Sequence, residues 1–171
     1  MPIERVQIEP AARAAISGHA RSKPNAETGG ILLGRRLDEA TVRITRASPP
    51  GPRARHGRFF FSRDTAFLQR YLDGIHDRSN GREDYVGEWH VHLALNAPPS
   101  CVDRRSLYRI ARATNYGTAN PVLLIAEHSA AILQLRGYGF RVRPKAMNDL
   151  ELMGASREAS PRGAEDRGVE S

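Results

Sequence analysis

The sequence predicts an α+β (mixed α/β) domain, in which strand hairpins are mixed with helices. Two hydrophobic patterns indicate this class. Apolar residues recur at helical spacing over residues 63–77, and short apolar runs next to glycines or prolines indicate strands. The length of 171 residues fits one domain. Because strand pairs and helices follow one another along the chain, we expect them to pack in layers around a shared core.

The first part of the chain carries one helix signal and one hairpin signal. Residues 10–21 are rich in alanine and begin at Pro10, and proline is favoured in the first turn of a helix. Residues 28–34 form a short apolar run with glycines at both ends, which predicts a strand. Residues 41–45 are its expected hairpin partner, and a loop rich in proline, glycine and arginine follows at 49–58.

The second part alternates strands and helices. The predicted elements are a strand opening at 59–61, a helix at 63–77, a strand at 85–93, a helix at 100–114, strands at 122–127 and 131–135, and a further strand at 140–142. A turn at 128–130 joins the two strands that flank it. Residues 154–171 contain Val169 as their one sizeable apolar side chain, so they cannot bury enough surface to offset the entropy of ordering. We therefore expect a folded domain over 1–153 and a flexible tail over 154–171.

Charge and composition indicate which classes of partner and which cellular compartment to expect. The net charge of +7 comes mostly from arginine, with lysine only at Lys23 and Lys145, and the arginines are scattered along the sequence. We therefore do not expect nucleic acid as a partner. Cys101 is the one cysteine, which excludes an internal disulfide and fits a reducing compartment. No apolar run reaches the roughly 18 residues that span a bilayer, and no signal peptide pattern is visible, so a cytoplasmic protein without a membrane partner is expected.

A candidate metal site lies between residues 90 and 103. His90 and His92 are two positions apart in a predicted strand, so both imidazoles project from one face. Asp103 follows Pro98-Pro99, at the start of a predicted helix. Two histidines and one aspartate form a three-ligand set that leaves a fourth zinc position open, as in catalytic rather than structural zinc sites. The alternative is a histidine pair on a solvent-facing strand.

Ser100 and Asp103 also allow a purely structural interpretation. Their spacing is that of a capping box, in which Ser100 caps the helix and Asp103 reciprocates. The two interpretations are compatible, because a helix start held by Ser100 would place Asp103 on the first turn, facing the strand of His90 and His92. Cys101 lies beside Ser100, but nothing in the sequence pairs its thiol with a free imidazole base, so we do not expect a cysteine protease.

A hydrolytic zinc site needs a base that takes a proton from water and delivers it to the leaving group. Glu27 comes just before the predicted Gly-Gly strand, and alone it resembles an ordinary surface carboxylate. Glu88 is the competing carboxylate, because it shares the strand face of His90 and His92. We rank Glu88 second and expect it to contact a ligand imidazole.

These residues resemble the JAMM motif of the MPN/JAB-domain zinc metallopeptidases, and the prokaryotic, deubiquitinase-like branch in particular. That motif is His-x-His-Pro, six residues, and then Ser-x-x-Asp, with a glutamate on an early strand. His90-Val91-His92 and Ser100-Cys101-Val102-Asp103 match it, and residues 27–34 and 85–90 also resemble prokaryotic members. The resemblance covers about residues 3–145. Leu93 stands where the family usually has proline, which shapes the following loop but supplies no ligand, so we expect the site to be retained.

The resemblance implies a fold, a cofactor and roles for the site residues. The fold would be a single MPN/JAB-like domain with a central, mostly antiparallel sheet flanked by helices, layered as in cytidine deaminases. His90, His92 and Asp103 would bind one Zn²⁺ per chain, with a bound water as the nucleophile. Glu27 would activate that water and carry its proton, and Ser100 would hydrogen-bond the oxyanion or orient the water.

The resemblance also implies a substrate class, with two alternatives left open. The protein would be an isopeptidase or peptidase that cleaves after the C-terminus of a ubiquitin-like protein, in deconjugation or precursor processing. Activating-enzyme-like and conjugating-enzyme-like proteins are the implied partners, in a conjugation or phage-defence system. The alternatives are a peptidase that processes sulfur-carrier proteins, which share the ubiquitin-like fold, and a non-catalytic MPN scaffold.

Overall fold

The computed structural model describes residues 2–113, 116–129, 132–141 and 146–154. Over these residues the helices are α1 (Pro10–Ser22), α2 (Thr65–Arg78) and α3 (Cys101–Arg112). The strands are β1 (Arg5–Ile8), β2 (Gly29–Arg36), β3 (Thr41–Ala47), β4 (Arg55–His56), β5 (Phe61–Ser62), β6 (Asp84–His92), β7 (Val122–Ser129), β8 (Ile132–Arg141) and β9 (Ala146–Gly154). The predicted mixture of helices and strands is therefore confirmed.

Seven strands form one sheet that closes into a barrel, in the order β1-β3-β2-β6-β7-β8-β9. Four of its strand pairs are antiparallel. The pairs β1–β3, β6–β7 and β1–β9 are parallel. The parallel pairing of β9 with β1 closes the sheet into a barrel, whereas the resemblance implied a layered domain with a central, mostly antiparallel sheet. The short strands β4 and β5 form a separate two-stranded sheet.

The helices cover both faces of the central strands. Ala12, Ile16 and Ala20 of α1 join a buried cluster that includes Leu32 and Trp89. On the other face of β2, the α2 residues Leu68 and Ile75 pack with Ile31 and Leu33. A third cluster places Leu107 of α3 against Leu123, Ile125 and Phe140. The flanking of the sheet by helices was thus predicted correctly, and β2, β6 and β7 are buried on both faces.

Several predicted boundaries need correction. A strand does not open at Phe59, because Phe59 is 84% and Phe60 54% exposed and β5 begins only at Phe61. β7 continues through Ser129, beyond the predicted turn start, and residue 130 lies outside the described residues. The predicted strands at 131–135 and 140–142 are largely one strand, β8, and residues 131 and 142 lie outside the described residues.

Two strands of the barrel were not predicted. β1 has four residues, and β9 has polar residues at several positions, so neither shows a strong strand pattern alone. They are stabilised by pairing with each other and with β3 and β8. β9 ends at Gly154, and residues 155–171 lie outside the described residues, so the domain boundary at 153/154 stays a prediction. No helix among the described residues is long and apolar enough to cross a membrane.

Candidate metal centre

Strand β6 positions the two histidines. It lies inside the sheet, between β2 and β7, and its side chains alternate between the two faces. Trp89 points into the core, is fully buried and donates from Nε1 to the carbonyl oxygen of Ser48 at 3.1 Å. His90 and His92 point to the other face, where their side chains are 17% and 13% exposed. The buried indole therefore fixes the strand register that brings both imidazoles to one place.

Helix α3 positions the aspartate. Ser100 is its N-cap, and its Oγ accepts a hydrogen bond from the backbone N–H of Asp103 at 3.1 Å. Asp103 Oδ2 in turn accepts from the backbone N–H of Ser100 at 2.8 Å and from its hydroxyl at 2.7 Å. The predicted capping box is confirmed, and it holds the carboxylate of Asp103 on the first turn of α3.

The strand and the helix bring the three predicted ligands together. Asp103 Oδ1 lies 2.9 Å from His90 Nδ1, and Asp103 Oδ2 lies 3.5 Å from His92 Nε2. One potential ligand atom from each residue falls within 4.8 Å of the others. Helix α3 also places its N-terminus beside this carboxylate, which favours negative charge there. The arrangement is compact enough for a single metal ion.

The electrostatics of the site depend on the pairing of these groups. Burial acts to raise the pKa of Asp103, but hydrogen bonds from His90 and His92 outweigh it and hold the pKa well below its ordinary value. Burial acts to lower the pKa of His92, but the hydrogen bond and the charge of Asp103 outweigh it and raise the pKa. Asp103 is therefore an anion that attracts a cation, which can be a proton on His92 or a metal ion.

One buried nitrogen of the site has no hydrogen-bond partner. His90 Nδ1 faces Asp103, whereas His90 Nε2 is buried and unpaired. A buried polar atom without a partner is costly, and such atoms in native proteins commonly face a water or an ion. Two imidazoles and one carboxylate are also the donor set of catalytic zinc sites. The residues present therefore fit a metal ion.

Glu27 lies beside this cluster. Its backbone N–H donates to Gly57 at 2.8 Å, and its carbonyl oxygen lies 3.1 Å from His56 Nδ1, so the β4–β5 hairpin holds its backbone. Burial raises the pKa of its carboxyl group, and the nearby charges of His92 and His90 partly offset this effect. A half-buried carboxyl group with a raised pKa holds a proton more readily than an ordinary glutamate, which suits it to proton transfer.

Glu88 does not contact a ligand imidazole, contrary to the expectation from sequence. Its side chain is 3% exposed, and both carboxylate oxygens accept hydrogen bonds from the guanidinium group of Arg63. Arg63 Nη2 also donates to Ser106 Oγ on α3 at 3.4 Å. Arg63 thus connects the strand that carries the histidines to the helix that carries Asp103.

Glu127 was not predicted as a site residue. It lies on β7, directly opposite His92 of the neighbouring strand β6. Glu127 is fully buried, its Oε2 accepts from the backbone N–H of Asn96 at 2.9 Å, and its Oε1 lies 3.4 Å from Arg136 Nε. Its charge contributes to the raised pKa of His92. Glu127 thereby anchors the loop that follows Leu93, where the JAMM pattern has proline. The signal was an acidic residue within an otherwise apolar strand.

The fold and this site define a JAB-type domain. Residues 9–137 match the family described as prokaryotic homologs of the JAB domain, and the chain belongs to that family. A solution structure of a protein from Desulfitobacterium hafniense has the same fold, with a TM-score of 0.63 at 20% identity. That likeness covers 89% of this chain and 94% of the other.

Curated relatives carry hydrolase names. The chain is 37% identical over 101 residues to a probable metalloprotease of Sinorhizobium fredii, which covers 58% of this chain and 61% of that protein. It is 37% identical over 100 residues to a CD-NTase/cGAS isopeptidase of Enterobacter hormaechei, covering 58% and 54% of the two chains. A protein of the same name from Escherichia coli is 35% identical over 80 residues, covering 47% and 51%. The matched stretch therefore spans between about half and three-fifths of these relatives.

Proposed function

We propose that this protein is a zinc-dependent isopeptidase or peptidase that cleaves after the C-terminus of a ubiquitin-like protein. The observation that carries the proposal is the convergence of His90, His92 and Asp103 beside the carboxyl group of Glu27. The isopeptidase names of two relatives support an isopeptide bond in a protein conjugate as the substrate. Precursor processing of a ubiquitin-like or sulfur-carrier protein uses the same chemistry.

We assign metal binding to the three proposed ligands and proton transfer to Glu27. His90, His92 and Asp103 would hold zinc, which supplies a Lewis acid that makes coordinated water acidic near neutral pH. Glu27 would take the proton of the attacking water and give it to the leaving amine, for which its raised pKa is suited. Release of a neutral amine requires this second proton transfer, so one carboxyl group serves as base and then as acid.

Ser100 has a more specific structural role than the resemblance implies. Its hydroxyl group lies 2.7 Å from Asp103 Oδ2, so it is placed to orient the carboxylate that we propose as a ligand. A role in hydrogen-bonding the oxyanion would require that hydroxyl to turn towards substrate. We propose that orientation of Asp103 is its main contribution and keep the oxyanion role as a prediction for the substrate complex.

Metal content and hydrolysis, measured together, test the proposal. The proteins are the wild type, Glu27→Gln and His92→Ala, and the substrates are ubiquitin-like proteins joined at their C-termini to a reporter or through an isopeptide bond to lysine. We expect about one zinc per chain in the wild type and in Glu27→Gln, and loss of zinc in His92→Ala. Hydrolysis should fall by at least ~100-fold in Glu27→Gln, because general acid–base catalysis contributes that much or more.

Two results would contradict the proposal. If Glu27→Gln hydrolysed the substrate at the wild-type rate, Glu27 would have no part in the proton transfers. Wild-type protein that takes up no zinc when zinc is added would leave Ser100 and Asp103 as a helix cap and would favour the non-catalytic scaffold. The presence of a complete set of donor residues argues against that scaffold, which needs no metal ligands.

A further inference from the structure

Five arginines that are scattered in the sequence come together around one concave surface. They are Arg35, Arg43, Arg46, Arg78 and Arg82, and we name this surface the arginine basin. It lies between β2, β3 and the C-terminal end of α2, and encloses about 390 Å³. Gly29 at the other end of β2 pairs with His90, so the basin is roughly 20 Å from the metal centre along the strand.

The basin carries an excess of positive charge. Its five guanidinium groups face two carboxylates, Glu9 and Glu83, and Glu83 pairs with Arg46 at 3.0 Å. Arg35 and Arg43 are direct neighbours across the β2–β3 pair. A concave surface whose guanidinium groups outnumber its carboxylates concentrates anions from solution.

The chain holds parts of the basin in place. Arg82 Nε donates to the carbonyl oxygen of Ser79 at 3.0 Å, and Ser79 Oγ accepts from the backbone N–H of Glu83 at 3.0 Å. On the opposite wall, Arg43 donates from Nε and Nη2 to Gln7 Oε1 at 3.1 and 3.0 Å. Such hydrogen bonds orient guanidinium groups before a ligand arrives, which lowers the entropic cost of binding.

We propose that the arginine basin binds an oligophosphate group, either free or as the phosphate chain of a nucleotide. All cations among the described residues of the basin are arginines, whose planar donor groups match phosphate oxygens in pairs. The volume is that of a small-molecule site. Ile75 is the one aliphatic side chain in the described lining, so the basin has little of the apolar anchor that a protein partner needs.

Isothermal titration calorimetry with tripolyphosphate, ATP and an acidic hexaglutamate peptide tests this proposal. The proteins are the wild type, the basin variant Arg78→Gln/Arg82→Gln, and the control Arg13→Gln/Arg21→Gln, which removes two exposed arginines from α1. All three proteins keep His90, His92 and Asp103. Any heat released when a phosphate removes metal from these residues is therefore the same in all three titrations. Thermal unfolding of each variant checks that the fold is intact.

We expect tripolyphosphate to bind the wild type and the control within twofold of each other, and the basin variant at least roughly tenfold more weakly. The loss of one hydrogen bond to a charged group raises the dissociation constant by about that factor. Tighter binding of ATP would indicate a nucleotide, and equal binding would indicate the phosphate chain alone. Equal weakening in both variants, binding of hexaglutamate as tight as tripolyphosphate, or no phosphate binding to the wild type would overturn the proposal.

Discussion

At the scale of single residues, the candidate site depends on a glycine that leaves room for a histidine. A Cβ at Gly29 would lie 2.5 Å from His90 Cδ2 and 2.5 Å from the carbonyl oxygen of Trp89, closer than any side chain tolerates. Glycine therefore lets β2 approach the imidazole and lets Glu27, two residues earlier, reach the same site. This close approach gives the Gly-Gly pair after Glu27 a physical meaning.

The buried pair of Arg63 and Glu88 gives a prediction at the same scale. Arg63→Met would leave the Glu88 carboxylate buried without a cation, and breaking such a pair costs about 3–5 kcal/mol. We expect the urea midpoint of unfolding to fall accordingly. Because Arg63 also bonds Ser106 on α3, zinc affinity should fall together with stability.

The double variant Arg63→Met/Glu88→Leu is the matched control. It replaces both charged side chains with apolar side chains of similar size, so the double variant should regain most of the stability that Arg63→Met loses. A double variant as unstable as Arg63→Met would show that Arg63 acts through packing rather than through the ion pair.

At the scale of elements, helix α2 begins at a carboxylate that the loop before it also uses. Asp64 is buried, its Oδ1 accepts from the backbone N–H of Phe67 at 3.1 Å, and its Oδ2 accepts from that of Arg53 at 3.0 Å. The hydrogen bond from Arg53, with that from Phe67, lowers the pKa of this carboxyl group. One side chain thereby fixes both the start of α2 and the loop that leads to the β4–β5 hairpin.

Asp64→Asn is predicted to lower the melting temperature by about 2–4 °C at pH 7, a shift typical of one lost capping interaction in a domain of this size. Asparagine keeps one acceptor oxygen and turns an amide group towards the other backbone N–H. A depressed carboxyl pKa stabilises the fold fully above the unfolded value of about 3.9, and this contribution decreases below that pH and is lost as pH falls through the lower pKa of the folded state. The difference between the two proteins should therefore shrink below about pH 4, in melting curves recorded from pH 3 to pH 7. A difference that is constant over this range would contradict the role of the charge.

At the scale of the whole molecule, the barrel joins sites that the sequence separates. The proposed metal ligands come from β6 and α3, and Glu27 comes from the chain before β2. A metal ion held by side chains of both β6 and α3 would bind the folded chain much more tightly than the unfolded one. Metal binding should therefore stabilise the entire domain rather than a local loop.

Chelation tests this coupling. At a free zinc concentration ~1,000 times the Kd, binding stabilises the folded state by about 4 kcal/mol, so the melting temperature of the wild type should rise by roughly 8–16 °C over the chelated protein. His92→Ala is the control, and zinc should leave its melting temperature unchanged. A zinc-induced rise in His92→Ala equal to that of the wild type would place the stabilising ion elsewhere on the chain.

Features that depend only on neighbouring residues could be predicted from the amino-acid sequence alone. Alternation along β6 places His90 and His92 on one face, and the spacing of Ser100 and Asp103 produces the capping box, because both effects depend on local backbone geometry. The helices α1, α2 and α3 were predicted to within one or two residues, since their apolar spacing and N-terminal residues are local signals as well.

Contacts between residues that are far apart in the sequence depend on the complete fold and could not be predicted in this way. The pairing of β9 with β1 closes the sheet, although neither strand has a strong pattern of its own. Glu88 pairs with Arg63 instead of a ligand imidazole, and Glu127 supports the loop after Leu93, because buried charges pair with whatever partner the fold brings near. The arginine basin has the same origin: charges far apart in the sequence act together only where strands and a helix place them on one surface.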